Sequence, residues 1–175
     1  MFIEILKQKS TPEYGLPFNL QPIMRSYQKA GFQWLMMLKK YGMSGILADD
    51  MGLGKTIQAI SVLSTLNTTS VSLVICPKTL LFNWANEIDK FGKNLSYQIY
   101  EGSKKERANI LKNLNTNILF ASYSIIQNDI KQLEKIDFEY IILDEAQHIK
   151  NATAMRTKAI KELTAKNKMA LSGTP

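Results

Sequence analysis

Two short stretches hold the residue types that could do chemistry together. The first is "DDMGLGKT" at 49–56, in which Gly52 and Gly54 precede Lys55 and Thr56. Glycines let successive backbone N–H groups turn toward a phosphate, and a helix starting at Lys55 adds the positive end of its dipole. The Lys55 ammonium would reach the β- and γ-phosphates of a nucleoside triphosphate, and the Thr56 hydroxyl would ligate magnesium. The second stretch is Asp144 and Glu145, directly after the apolar run 140–143. Two acids at the carboxyl end of a buried strand suit a metal ion and a water. Asp144 would hold Mg2+ through its water shell, and Glu145 would polarise the attacking water. One departure stands out: the phosphate-loop pattern G-x-x-x-x-G-K-[ST] calls for glycine where this chain has Asp49.

These residues need a scaffold that brings them together. Short apolar runs at 45–48, 71–76, 97–100, 118–121, 140–143 and 169–171 read as strands. Between them lie helical patterns. An apolar stripe at Ala59, Ile60, Leu63 and Leu66 marks one, and Leu80, Leu81, Trp84, Ile88 and Phe91 mark the next. Ser103 and Glu106 form a capping-box pattern that opens a third. Ile126, Ile130 and Leu133, then Met155, Ala159 and Leu163, mark two more. A first helix is carried by Tyr27, Ala30, Gly31, Trp34, Leu35, Leu38 and Tyr41. Near-continuous apolar strands separated by helices predict an α/β fold, a mainly parallel sheet with helices on both faces. In such a sheet, ligands bind beyond the carboxyl ends of the strands, where both chemical stretches fall. Residues 9–23, with three prolines and a glycine, read as an extended lead-in.

Composition narrows the class. A chain of 175 residues with 45% hydrophobic and 21% charged residues is the size of one ordinary globular domain. No run approaches the ~18 uncharged apolar residues of a membrane span, and the first residues lack a cleavage-like site, so no membrane or secretory role is expected. Cys76 is the single cysteine, which excludes an internal disulfide and suggests a reducing, cytoplasmic setting. One histidine, His148, leaves no Cys/His zinc site. The net charge of +7 suits a polyanionic partner and equally a well-hydrated surface. The same two readings stay open for the late basic residues Lys150, Arg156, Lys158, Lys161, Lys166 and Lys168.

The motifs together resemble a family. "DDMGLGKT" (49–56), "DEAQHIKN" (144–151) and "LSGTP" (171–175) look like motifs I, II and III of superfamily-two helicase-like ATPases. "RSYQKAGFQWL" (25–35), "ICPKTLLFNWANEI" (75–88) and "ASYSII" (121–126) resemble the Swi/Snf-type DNA translocases. The resemblance implies a RecA-like lobe over residues 24–175, after a lead-in at 1–23. It implies ATP and Mg2+ as ligands, double-stranded DNA as partner, and a second RecA-like lobe supplying arginines across the cleft. An isolated first lobe is therefore expected to be nearly inactive.

Residue by residue, it implies that Asp50, Met51, Gly52, Leu53, Gly54, Lys55 and Thr56 surround ATP. Gln28 would read the adenine edge, with Arg25 near the base. Lys78 with Thr79, and Ser122 with Tyr123, would touch a DNA backbone. Gln147, Ser172, Gly173 and Thr174 would couple nucleotide state to lobe movement, Gln147 by hydrogen-bonding toward motif III. Trp84 resembles the family's tryptophan but lies on the apolar stripe, which predicts core packing, and His148 is expected to face solvent. The alternative reading is a catalytically silent nucleotide- and DNA-binding module of the same fold. The intact Lys55, Thr56, Asp144 and Glu145 speak against it.

Overall fold

The six apolar runs pair into one sheet. In the computed structural model, which describes residues 13–66, 69 and 71–173, the strands are β1 (Gly45–Leu47), β2 (Ser72–Cys76), β3 (Tyr97–Tyr100), β4 (Ile118–Ser122), β5 (Phe138–Leu143) and β6 (Ala165–Leu171). They lie in the order β1-β6-β5-β2-β4-β3, and every pairing is parallel. All six carboxyl ends therefore emerge on one edge. The loops after β1, β6 and β5, three neighbouring strands, carry the glycine-rich stretch, Ser172–Gly173 and Asp144–Glu145. The adjacent half of the sheet, β2, β4 and β3, carries the junctions at Lys78 and Ser122.

Among the described residues, six helices cover the faces: α1 (Ser26–Lys40), α2 (Lys55–Leu63), α3 (Leu81–Phe91), α4 (Lys104–Lys112), α5 (Tyr123–Leu133) and α6 (Met155–Glu162). Side chains alternate along each strand, so one strand feeds two cores. Val74 and Cys76 pack under α1, α2 and α3, with Phe32, Ile60, Trp84 and Phe120. Leu73 and Ile75 pack under α5 and α6, with Ile126, Leu133 and Ile160. Helix α2 is buried from Ile57 to Leu63 because α1 and α3 flank it. Its polar members Gln58 and Ser61 are buried with the rest. The capping box at α4 forms as its sequence predicts: the Glu106 amide donates to Ser103 Oγ at 3.3 Å and the Ser103 amide to Glu106 Oε2 at 2.7 Å.

The lead-in differs from its reading as an extended linker. Residues 18–23 form tight turns, with the Leu20 amide on the Pro17 carbonyl and the Met24 amide on the Leu20 carbonyl. Leu20 is fully buried in the first core. Gln33 clasps Tyr14 through both backbone groups, at 2.7 and 2.8 Å, and Asn19 donates to the Phe91 carbonyl. Proline and glycine marked turns correctly, but a turn packed on the core has the same composition as a free one. Residues 1–12 and Thr174 lie outside the described residues.

Cys76 sits at the end of β2, fully buried. Burial, and after it the nearby Asp144 and Glu101 carboxylates, pushes its thiol up to about 12. A thiolate is the reactive form. The folded chain is therefore expected to leave a colorimetric thiol reagent unreacted at pH 8 and to release one equivalent on addition of denaturant. Full reaction before denaturation would contradict this burial.

Candidate nucleotide-binding cleft

The glycine-rich loop leaves β1 and turns into α2 through two residues in the left-handed region, Gly52 (φ 83) and Gly54 (φ 76). Gly54 is the residue before the helix, and no side chain caps the first turn. Those N–H groups are the ones a phosphate satisfies. A side chain at Gly54 would also place its Cβ 2.4 Å from Gln28 Nε2, so a substitution there would strain the backbone and displace the Gln28 amide. Lys55 Nζ lies inside the loop and donates to the carbonyls of Asp49 (2.7 Å) and Asp50 (3.0 Å). An ammonium has three hydrogens, so one remains for a phosphate oxygen.

Asp49, the departure from the glycine pattern, has a structural task. Its Oδ2 accepts a hydrogen bond from Gln58 Nε2 at 3.2 Å, which ties the loop entrance to α2. Gln58 is almost fully buried, and a Cβ on Gly31 would come within 1.9 Å of its Oε1. The small residue on α1 thus makes room for the amide. Sequence reasoning missed Gln58. The signal was a glutamine inside an otherwise apolar helix.

Gln28 braces the loop from α1. Its Nε2 donates to the Leu53 carbonyl (3.0 Å), and its Oε1 accepts the Arg25 amide (2.9 Å). Tyr27 Oη reaches the same Leu53 carbonyl at 3.1 Å. Gln28 Nε2 also points its second hydrogen at Tyr27 Oη, at 3.5 Å, while Oε1 keeps one acceptor site for the edge of a base. Arg25, Gln28, Gly52, Gly54, Lys55, Thr56, Asp144 and Glu145 line one cleft of about 790 Å³. Met51 joins them. Asp50 and Leu53 shape the loop through their carbonyls instead of lining the cleft.

The acids come from β5. Asp144 is 9% exposed and held at four points. Its Oδ1 accepts the Glu145 amide at 2.9 Å and its Oδ2 the Trp84 indole N–H at 2.8 Å. Its carbonyl accepts Tyr123 Oη at 2.7 Å, and its own amide continues the ladder to Ile75. Burial raises the Asp144 carboxyl above the usual carboxylate range, against the pull of the indole and amide hydrogen bonds. Glu145 adopts φ 52, ψ 52, the single non-glycine residue with positive φ among those described. A left-handed non-glycine residue costs on the order of 1–3 kcal/mol, and such strain concentrates at functional sites.

Gln147 closes the arrangement: its Nε2 donates to Glu145 Oε2, and its Oε1 accepts from Ser172 Oγ at 3.3 Å. Gly173 follows β6 so closely that a Cβ there would lie 2.9 Å from Met51 Cγ and 4.0 Å from Lys55 Nζ. The loop after β6 is thus packed against the loop after β1 and hydrogen-bonded to the loop after β5.

The donor set suits a magnesium–triphosphate. Thr56 and Asp144 offer hard oxygens, and Mg2+ characteristically keeps waters and phosphate ligands beside one or two carboxylates. Among the described residues no three His, Cys, Asp or Glu side chains are grouped to hold a metal by themselves.

Residues 27–175 match the family described as "SNF2-related domain". The chain belongs to this family. It is 36% identical over 98% of its length to the TATA-binding protein-associated factor mot1 of Schizosaccharomyces pombe, covering 10% of that protein. It is 41% identical over 87% of its length to the ISWI chromatin-remodeling complex ATPase ISW1 of Saccharomyces cerevisiae, covering 14% of it. An uncharacterized ATP-dependent helicase of Mycoplasma genitalium is 40% identical over 97% of the chain, which spans 17% of that relative. Among solved structures, the Sulfolobus solfataricus SWI2/SNF2 ATPase core in complex with dsDNA superposes with a TM-score of 0.83 and 39% identity. The match covers 93% of this chain and 35% of that one. The chain therefore corresponds to one RecA-like lobe of an SNF2 core, and it spans only a small part of its relatives' length.

Within this SNF2-related lobe, the four residues expected to meet DNA separate into two kinds. Lys78 and Thr79 are exposed on the short 3-10 turn Lys78–Leu80 between β2 and α3. Lys78 Nζ pairs there with Glu101 at 2.9 Å. Ser122 and Tyr123 are different: they are 2% and 4% exposed. Tyr123 Oη is spent on the Asp144 carbonyl and Ser122 Oγ lies against Ser124 Oγ. Their side chains face inward, because the junction after β4 turns its first helical residue under motif II. Ser124, which is exposed, is the hydroxyl that this junction presents. His148 is exposed and stacks on the Tyr123 ring at 5.4 Å. Of the late basic residues, Lys166 pairs with Glu139 and Lys168 donates to the Leu163 carbonyl. Among the described residues, no helix is long and apolar enough to cross a membrane.

Proposed function

We propose that residues 24–175 form the ATP-binding lobe of an SNF2-type motor that hydrolyses ATP and couples the hydrolysis to movement on double-stranded DNA. One observation carries this reading: Lys55 and Thr56, which open α2 after the glycine-rich loop, share a cleft with Asp144 and Glu145 from the loop after β5. Uncapped amides of α2 and the Lys55 ammonium would receive the β- and γ-phosphates, where preorganised donors stabilise developing charge. Gln28 and Arg25, which line the same cleft, would hold the base. Mg2+, held by Thr56 and Asp144, would neutralise the phosphate charge. Glu145 would orient and deprotonate the attacking water. Gln147 links Glu145 to Ser172, which is the short path by which the state of the cleft would reach motif III. Lys78 and Thr79 would take DNA phosphates, for which Lys78 would leave Glu101.

The test is the Lys55→Ala variant of the full-length protein. Losing one preorganised donor costs about 10²–10³-fold in turnover. DNA-stimulated ATPase activity is expected to fall by that much, and calorimetry should show weaker Mg-ATP binding. Equal nucleotide affinity in the variant and the wild type would overturn the assignment of this loop.

A further inference from the structure

We infer that Trp84 is a positioning residue for Asp144: its indole N–H fixes the carboxylate that is to face magnesium, and through α3 it ties that carboxylate to the junction bearing Lys78 and Thr79. The inference rests on the nucleotide reading above. Trp84 belongs to the first core, 2% exposed, with its ring 6.0 Å from that of Phe120. Packing alone would ask only for a large apolar ring. A buried indole N–H, however, needs an acceptor, and here the acceptor is the Asp144 carboxylate, 60 positions along the chain, at 2.8 Å. Oδ1 of the same carboxylate is held by the Glu145 amide. Two donors from different directions fix the rotation of the carboxyl plane, and each oxygen keeps lone-pair capacity for a metal-bound water.

The placement of Trp84 adds a mechanical consequence. Helix α3 begins directly after the 3-10 turn that exposes Lys78 and Thr79. A shift of that turn on meeting a polyanion would be carried along α3 to the indole and so to Asp144. Tyr123, the first residue of α5, makes the corresponding link from the next junction, to the Asp144 backbone instead of its side chain. The two aromatic donors thus join the junction half of the sheet edge to the hydrolytic half. Trp84 acts on the side chain that would approach the metal.

The experiment compares the full-length wild type with Trp84→Phe, which keeps an aromatic ring and removes the donor. MgADP binding is measured by calorimetry over a range of Mg2+ concentrations, alongside thermal melting. Loss of such outer contacts typically costs about 10–100-fold in metal affinity or activity. The Mg2+ concentration for half-saturation is expected to rise at least several-fold, with ADP affinity at saturating Mg2+ little changed. A merely structural tryptophan would lower the melting temperature without moving the Mg2+ dependence. Should the phenylalanine variant fail to fold, the Trp84→benzothienylalanine variant, which keeps the bicyclic shape and lacks the N–H, serves in its place. Failure of the wild type to bind MgADP would overturn the nucleotide reading and this inference with it. Wild-type binding with a variant Mg2+ dependence within twofold would overturn the inference alone.

Discussion

In the full-length protein, Glu145→Gln is expected to lower ATP turnover by about 10²–10⁴-fold while leaving nucleotide binding in place. The magnitude is that of a positioned general base. Glutamine has the shape of glutamate and keeps a hydrogen-bonding partner for Gln147, but it takes no proton from water. The backbone at this position is already left-handed, φ 52 and ψ 52, and glutamine meets the same strain, so the loop geometry carries over. The groups that would grip the phosphates, Lys55 and the first-turn amides of α2, are untouched. Single-turnover hydrolysis and calorimetric ATP binding separate the two effects. A variant that turns over ATP within about threefold of the wild type would remove Glu145 from the chemistry. Parallel loss of binding and turnover would instead assign it a role in holding the nucleotide.

The second large effect is on stability and lies away from the cleft. Asp129→Ala is expected to destabilise the lobe by about 3–5 kcal/mol, the cost of breaking a buried ion pair by removing one partner. Asp129 is 3% exposed. It accepts from Arg107 Nε at 2.6 Å, from Arg107 Nη2 at 3.0 Å and from Tyr100 Oη at 2.7 Å. Arg107 Nη1 also donates to the Gly102 carbonyl, so one guanidinium fastens α4 to the end of β3 and to α5. Asp129 itself departs from helical geometry, with φ −116 and ψ 18 inside α5. Alanine would leave the buried Tyr100 phenol without its acceptor and the partly buried Arg107 guanidinium with the Gly102 carbonyl alone. At ~2–4 °C per kcal/mol for a domain of this size, the melting temperature should fall by roughly 10 °C.

The pair also sets a pH dependence. Hydrogen bonds from Arg107, and less so from Tyr100, hold the Asp129 carboxyl below the usual carboxylate range in the folded chain. A folded-state pKa below the unfolded value of ~3.9 contributes stability that is complete above the unfolded pKa. That contribution is lost as pH falls through the folded one. The wild-type advantage over Asp129→Ala should therefore shrink between pH 5 and pH 2. Melting curves at both ends of that range check it. A neutral-pH difference under 2 °C would show that the pair is not what holds α4 to the sheet. Neither residue lines the cleft, so nucleotide affinity should survive wherever the variant is folded.

Much of this lobe was legible before its structure. Each strand contains one of the expected apolar runs, although β6 (Ala165–Leu171) starts four residues ahead of its run, in a polar stretch that pairs with β5. The helices repeat apolar residues at helical spacing or, at α4, open on a capping box, so type and order follow from local pattern. The loop 49–56 and the acids after β5 were equally plain, because chemistry on a backbone turn needs particular residues at fixed spacing. Which strands would be neighbours was not legible. The order β1-β6-β5-β2-β4-β3 arises from how helices on two faces share a sheet, and apolar runs of similar composition do not encode their partners.

The same limit explains each surprise. Leu20 in a proline-rich lead-in becomes core because α3 lies beside it. Asp49 finds Gln58, which lies nine positions away on an apolar helix. Ser122 and Tyr123 look like surface residues of a polar junction, yet they turn under motif II. Trp84 announces itself as core and proves also to hold Asp144 from 60 positions away. Sequence by itself determined which elements form and which residues could do chemistry, since backbone preference and apolar period act over a few residues. Only the tertiary structure decided which side chains hold the chemical ones in place. Such contacts join residues far apart in the chain, and their partners are chosen by packing.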